Sequence, residues 1–455
     1  MVVTQKYNVI DLDKGTLDRR IFTDGQVYQE ELEQVFGRAW LMIGHESLVP
    51  NANDFFLSYM GEDPVILTRD SKDQIHVFLN MCRHRGNRIV RADDGNAKNF
   101  MCTYHGWTFS NEGKLVSVPG LQEAYYGELD VERLGLVEAR SETYAGIVFA
   151  TWAEDAPTLE AYLGDLRWYM DIIHNHRDCG IQAVGPIKWI APFNWKTPVD
   201  NAPDFYHARI THQSVGLARA RVQSPRMNAT VGGSQRPFQS PRRQISVNGH
   251  VAVATVLDKP DGLGWNTVFK TAVTPDNRSK WEAFHQSILP EVERRVGSFR
   301  ARRMEASARI IFPNVFIGLR IAHPRGPLKS ELWSFVYYDK DSPEEVVRAK
   351  RLRMGQEDQL GGVVEQDDMD NWRQMTDSGL STAGRKYPHD LSMGVGHMGN
   401  DPLLRGRSIA ERFISENAQR AYYARWQEFM NAKSWAGIHI DPVTAPFEGT
   451  ATMKG

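Results

Sequence analysis

Cysteine is scarce: the 455 residues hold three, Cys82, Cys102 and Cys179. That excludes a disulfide framework, and if two of the three hold metal no structural disulfide is left, which fits a reducing cytoplasm. Met1 to Gly15 is polar and mixed in charge, so no secretory leader is expected. The longest apolar runs, such as Gly146 to Ala153, fall far short of the ~20 residues that span a bilayer. Net charge is nearly absent, at −2 with a pI of about 6.7, so no bulk attraction to nucleic acid or an anionic membrane follows. There is no internal repeat and no low-complexity tract. What is present is ordinary for a soluble globular enzyme, 41% hydrophobic and 24% charged, in a chain long enough for two or three domains.

Two of the cysteines stand in an unusual pattern. Cys82-Arg83-His84 is followed, seventeen residues later, by Cys102-Thr103-Tyr104-His105. Thiolates and imidazoles together bind zinc or iron–sulfur clusters. Zinc sites usually pair like with like, C-x2-4-C with H-x3-5-H. Here each pair mixes one Cys with one His, which suits a Rieske [2Fe–2S] centre, where two Cys hold one iron and two His the other. Gly86 and Gly106 supply the tight loops such a site needs, and Trp107 an aromatic wall. Arg83, Arg85, Arg88 and Arg91 read equally well as a solvated face or as a docking surface for an acidic electron donor. Rieske proteins of respiratory complexes resemble this motif but add a disulfide-bonded Cys to each loop. Asn87 and Tyr104 occupy those places, so the pattern is closer to the Rieske centre of bacterial ring-hydroxylating oxygenases.

Along the chain, residues 27–40 have the apolar spacing of an amphipathic helix. Residues 41–157 read as an all-β Rieske domain inserted between an N-terminal helical segment, 1–40, and a catalytic domain, 158–455. In the latter, helices are expected over 159–176, 281–304, 343–354 and 409–430, and strands at 187–190, 246–257, 310–317 and 332–338. Residues 214–243 lack periodicity and read as a long functional loop or a disordered one.

An oxygenase needs a second iron. Residues 194–212 contain Asp204, His207 and His212. With Asn201 as N-cap and Pro203 in the first turn, a helix would put Asp204 and His207 on one face. His212 lies about 140° further round at ~100° per residue, so both histidines reach one ion only if the helix bends or ends between them. Two imidazoles and one carboxylate form the facial triad of non-heme Fe(II) oxygenases. The carboxylate must come from elsewhere, and Glu365-Gln366-Asp367-Asp368 is the best candidate, although such a run is ordinarily a solvated helix face.

Asn194-Trp195-Lys196, then Asp204-x-Tyr206-His207-x4-His212, then Glu365-x-Asp367-Asp368, with Ala39-Trp40, Gly44 to Ser47 and Tyr104 to Trp107, resembles the large (α) subunit of aromatic-ring-hydroxylating dioxygenases, the group that includes the naphthalene, biphenyl and phenylpropionate enzymes. The likeness runs from about residue 20 to about residue 435. It implies an α+β fold, with the catalytic domain an antiparallel sheet flanked by helices (helix-grip type) around a mostly apolar pocket that ends at the iron. It implies Cys82, His84, Cys102 and His105 as cluster ligands, and His207, His212 and Asp368, rather than Asp367, as ligands of a mononuclear iron. Asp204 matches the acid that links the two centres, across to His105 of a neighbouring subunit. The implied reaction is cis-dihydroxylation of an aromatic ring with O2. Electrons would come from NADH through a reductase and a ferredoxin, and the assembly would be an α3β3 hexamer with a small (β) subunit. Asn201, Ala202, Phe205, Ala208 and Val364 are the expected substrate contacts, and the small Val363 and Val364 imply room for bicyclic or larger rings. Two departures, Asp200-Asn201 with a short spacer and the 358–364 segment without the usual Phe-Gly-Pro-Ala-Gly run, fall where relatives line the substrate pocket. Other readings are a Rieske monooxygenase or demethylase, a pure electron-transfer protein, which more than two irons per chain would exclude, and a zinc-stapled binding module, which a colourless protein with zinc and no acid-labile sulfide would support.

Overall fold

The computed structural model describes residues 6–213, 242–257, 278–357, 359–399, 401–408 and 414–444. Two antiparallel sheets dominate. A seven-stranded sheet runs, in spatial order, Leu41–His45, Ile147–Thr151, Glu138–Tyr144, Ile75–Leu79, Asp63–Arg69, Asp54–Met60 and Asp94–Asn96. A three-stranded sheet (Leu115–Ser117, Thr108–Ser110, Asn99–Met101) stands beside it. The Cys82 loop leaves the first sheet after Leu79, and the Cys102 loop leaves the second after Met101. Both cysteines are buried in a hydrophobic cluster built on Phe55, Phe78, Phe100, Trp107 and Phe109, separate from the main core.

The catalytic sheet has eight strands: Ile181–Ala191, Ser330–Asp339, Arg320–Pro324, Val315–Phe316, Met304–Ile311, His250–Val256, Arg242–Val247 and Arg407–Ser408. Helices Leu166–His174 and Asn417–Asn431 pack on it, giving the α+β architecture expected. Among the described residues no helix is long and apolar enough to cross a membrane.

Several elements differ from the sequence reading. Residues 246–257 are not one strand but parts of two, Arg242–Val247 and His250–Val256, joined by Asn248-Gly249 at φ 51° and 80°. Asn-Gly is the pair that a two-residue hairpin with positive φ favours. The helix expected over 281–304 splits at Gly297 (φ 83°) into Arg278–Val296 and Ser298–Arg303, and Met304 already begins a strand. Gly164 (φ 52°) likewise divides 159–176 into Leu159–Leu163 and Leu166–His174. The strand over 310–317 breaks at Phe312 to Asn314. The helix expected from Ile409 begins at Asn417, whose N–H donates to Ser415 Oγ at 3.1 Å; residues 409–413 lie outside the described residues. So does the 214–243 loop, except for Arg242 and Arg243, which are strand.

The N-terminal helix Gly25–Glu31 locks onto the catalytic domain through one carboxylate. Glu31 is fully buried and accepts from Lys196 Nζ at 2.6 Å, Trp195 Nε1 at 3.0 Å and Trp426 Nε1 at 2.8 Å. Burial pushes the Glu31 carboxyl up and the Lys196 ammonium down, against their mutual attraction. The Asn194-Trp195-Lys196 motif is therefore the anchor of the segment that carries the histidines. Asn194 completes it, donating from Nδ2 to the Pro327 carbonyl at 2.8 Å.

Candidate metal centres and the cavity beside them

The two cysteine loops are built alike. Gly86 N–H donates to the Cys82 carbonyl and Gly106 N–H to the Cys102 carbonyl, each at 2.9 Å, and the two glycines have φ of 80° and 74°. The Cys82 and Cys102 N–H groups donate to the carbonyls of Asn87 and Trp107, each at 2.8 Å. The rings of His84 and His105 lie 4.6 Å apart, and His84 stacks on Trp107 at 4.9 Å. Burial raises the Cys102 thiol, but hydrogen bonds from the Tyr104 N–H, Asn87, the Cys82 thiol and the His105 N–H outweigh it and lower the pKa overall. Asn87 Nδ2 reaches Cys102 Sγ at 3.6 Å, so one of the two positions that hold Cys in the disulfide-bearing relatives here steadies a sulfur instead. Two sulfurs and two imidazoles on matched loops, with His84 Nδ1 buried and without a hydrogen-bond partner, suit a [2Fe–2S] cluster. All three cysteines are free of disulfides. Arg85, Arg88 and Arg91 are exposed around this tip.

The histidine segment is not the helix expected. Asn201 ends a helix, Lys196–Asn201, rather than capping one, and a single turn, Ala208–Thr211, follows. Asp204 and His207 meet all the same, because Asp204 Oδ1 accepts from Tyr206 N–H at 2.6 Å and folds the chain back in an Asx turn. Asp204 Oδ2 then lies 3.0 Å from His207 Nδ1. His207 and His212 flank the short turn as its two caps, which is how both reach one point.

That point is completed by Asp368. One ligand atom each from His207, His212 and Asp368 lie within 4.8 Å of one another. Asp368 Oδ1 is 3.5 Å from His207 Nε2 and 3.4 Å from His212 Nε2. The acidic run is no solvated face: helix Val363–Leu380 buries Glu365, Asp368, Trp372, Thr376 and Gly379 along one stripe. Burial, joined by the charges of Glu365 and Asp367, pushes the Asp368 carboxyl up to about 7 against the pull of His207 and Arg320. A divalent cation reverses that balance, so the donor set and its electrostatics fit a 2-His-1-carboxylate iron site.

The triad closes one end of a cavity of about 370 Å³. Asn201, Ala202, Phe205, Ala208 and Val364 all line it. Val363 is 52% exposed and turned to solvent, so only one of the two valines shapes the cavity. The lining is mostly apolar, as expected, but charged groups interrupt it. Arg242, Arg309, Arg320, Arg353 and Glu305 stand among Ile173, Val253, Ile317, Phe335 and Met354.

Sequence reasoning missed the roles of three further groups. Arg320 and Glu365 form a fully buried ion pair directly behind Asp368. Asp367 Oδ2 lies 3.5 Å from His212 Nδ1. Glu305, Ser307 and Arg309 share the cavity face of strand Met304–Ile311, which the alternation of Met304-Glu-Ala-Ser-Ala-Arg309 could have shown.

Comparison with known proteins bears on both sites. The family model for the Rieske [2Fe–2S] domain matches residues 39–135, and that for the ring hydroxylating alpha subunit (catalytic domain) matches residues 159–432. The chain is 36% identical over 438 residues to biphenyl 2,3-dioxygenase subunit alpha of Rhodococcus jostii, covering 94% of this chain and 92% of that one. It is 35% identical over 439 residues to benzene 1,2-dioxygenase subunit alpha of Pseudomonas putida, covering 94% of each. The solved structure of naphthalene 1,2-dioxygenase with indole bound in the active site superposes with a TM-score of 0.84 at 28% identity, over 95% of this chain and 96% of that one. A quaternary ammonium Rieske monooxygenase, at 17% identity and a TM-score of 0.63, shares the fold. With both domain families matched and the relatives aligned over nearly their whole length, the chain belongs to the Rieske-type ring-hydroxylating dioxygenases, as a large (α) subunit.

Proposed function

We propose that this chain is the terminal oxygenase of a system that cis-dihydroxylates an aromatic ring. Cys82, His84, Cys102 and His105 hold the cluster, and His207, His212 and Asp368 hold the iron. The single observation that carries the reading is the convergence of those three side chains at the end of a cavity large enough for a one- or two-ring arene. Iron bound there supplies O2 activation beside the ring, using electrons relayed from the cluster. The chain's own residues do the rest. Asp204 Oδ2, 3.0 Å from His207 Nδ1, is placed to hold that ring in orientation and leave Nε2 for the metal. Ala202, Phe205 and Val364 shape the space for the ring and exclude water from it. By family resemblance Asp204 also meets His105 of a neighbouring α subunit, which requires an assembly such as α3β3 with a small subunit. NADH, a reductase and a ferredoxin supply the electrons in the cytoplasm, and Arg85, Arg88 and Arg91 form a surface suited to an acidic donor.

The test is isotopic. With a reconstituted NADH, reductase and ferredoxin chain under 18O2, both oxygens of a cis-diol product should be labelled. A phenolic product carrying one labelled oxygen, or a dealkylated product with the label in the released aldehyde, would overturn the dioxygenase reading in favour of the monooxygenase one.

A further inference from the structure

We infer that a cleft between helix Asn417–Asn431 and the Asn248-Gly249 hairpin turn, outside the iron cavity, is a binding site for a small carboxylate carried on an apolar body. The cleft holds about 420 Å³, within the range of small-molecule sites, and shares no lining residue with the cavity at the triad. Helical spacing builds its wall. Asn417, Arg420, Ala421, Ala424, Arg425 and Glu428 recur at intervals that put them on one face of the helix. Other faces are spent on the interior, where Tyr423 and Gln419 bond Asp200 and Trp426 bonds Glu31.

Arg425 holds an unfilled fork. It is 5% exposed, and its Nη1 donates to Glu428 Oε2 at 2.6 Å and to the His439 carbonyl at 2.5 Å. Its Nε and Nη2 are buried without a hydrogen-bond partner. Those two N–H groups leave one edge of the planar guanidinium in parallel, the geometry that takes both oxygens of a carboxylate. The hairpin turn lies against the stem of this side chain: a Cβ at Gly249 would stand 2.3 Å from Arg425 Cγ.

More unfilled groups line the same cleft. Asn417, 3% exposed in the first turn of the helix, has a buried Nδ2 without a partner, and Ser246 Oγ, on the strand Arg242–Val247 that packs on the helix, has none either. Arg420 adds a second positive charge, fixed by bonds from Nη1 to the carbonyls of Leu391 and Met393. The acids present are already committed. Glu428 accepts from Arg425 with Oε2 and from the His439 N–H with Oε1, and Asp441 Oδ1 faces His439 Nε2 at 3.2 Å.

A buried donor without an acceptor is costly, and a charged one more so. A carboxylate brings two acceptors and a countercharge together. The rim asks for something else: Leu12 and Met398 are exposed there, with Val247 and Val395 beside them. An apolar body behind the carboxylate removes that surface from water, which an inorganic oxyanion does not.

The test compares hexanoate with hexanamide, which share shape, differ in charge and contain no ring to be hydroxylated. Calorimetry on the metal-loaded enzyme at fixed ionic strength measures both, with inorganic phosphate as a third probe. Hexanoate should bind roughly tenfold or more tighter than either. Ala421→Glu sets a carboxylate into the cleft from a half-buried helix position and should weaken hexanoate roughly tenfold or more, as should Arg425→Met. The cluster spectrum and iron content check the fold of each variant. Equal affinities for hexanoate and hexanamide overturn the inference and need no variant. So does hexanoate binding that Ala421→Glu leaves unchanged, which would put the anion at the iron or elsewhere. Phosphate bound more tightly than hexanoate overturns the carboxylate assignment.

Discussion

His212 Nδ1 faces Asp367 Oδ2 at 3.5 Å while its Nε2 faces Asp368. The adjacent aspartates thus hold opposite edges of one imidazole, as Asp204 and Asp368 do for His207. Of the two, Asp368 is the one whose oxygen lies within 4.8 Å of a ligand atom from each histidine. Asp368→Ala should remove about one iron per chain and leave the cluster spectrum intact. Asp367→Asn should keep the site but weaken metal affinity by about 10–100-fold, the usual effect of losing a carboxylate that orients a metal-bound histidine. A metal titration followed by calorimetry separates the two. Unchanged affinity in the Asp367 variant would show that the 3.5 Å contact orients nothing.

Asp204→Asn should leave both metal sites filled and the cluster reducible, yet slow reoxidation of the cluster by O2 in the presence of substrate. Stopped-flow absorbance in a single turnover reads this. Reoxidation at the unaltered rate with full product yield would reduce Asp204 to a turn-forming residue.

Cys102→Ser should lose two irons, the brown colour and the reduced-state electron spin resonance signal. Because Cys102 lies inside the small hydrophobic cluster with Phe100, Trp107 and Phe109, its near-ultraviolet circular dichroism should weaken as well. A persistent signal rules out this ligand assignment.

Glu31→Gln leaves the buried Lys196 ammonium without its countercharge. Breaking one side of a buried pair costs about 3–5 kcal/mol, so urea unfolding should show a loss of that order. Glu31→Gln combined with Lys196→Met should lose less than Glu31→Gln alone. A double variant weaker than the single one would mean that Lys196 contributes through packing, above all against Trp195.

Stability should also carry a pH dependence from Asp200. Its carboxyl is pushed up to about 7 by burial, helped by Asp204 and Glu416 and opposed by the Tyr423 hydroxyl at 3.1 Å. An acid whose pKa is higher folded than unfolded favours the fold while protonated. Its contribution is therefore full below about 4, the unfolded value, and is lost as pH rises through about 7. Asp200→Asn should accordingly gain on the unaltered protein between pH 4 and 7, measured by paired thermal melts. A constant difference across that range would place the titration elsewhere.

The metal centres were legible because their chemistry is written in local spacing. C-x-H with C-x2-H, and two histidines five apart, are short-range patterns, and the Rieske strands are short β-rich runs such as Val65 to Thr68 and His76 to Leu79. Asp368 could be reached only by family resemblance, since nothing in an acidic run tells buried Glu365 and Asp368 from exposed Asp370. The 246–257 strand went wrong for the opposite reason: Asn248-Gly249 is a strong hairpin marker that a continuous apolar run concealed. The arginine lining was invisible because Arg242, Arg309 and Arg320 come from three strands, and only the register brings them to one cavity.

The way residues 6–31 are sewn into the catalytic domain bears on synthesis at the ribosome. Strand Thr16–Leu17 pairs with His389–Asp390, Val9 N–H donates to Gln427, and Glu31 bonds Trp426. Those partners emerge last among the described segments, whereas the sheet from Leu41 to Thr151 needs nothing beyond its own span to pair. The electron-transfer half can thus finish its strand pairing on the nascent chain while the segment before it waits for these catalytic-domain partners through some 240 further residues (roughly 12–48 s at ~5–20 residues per second).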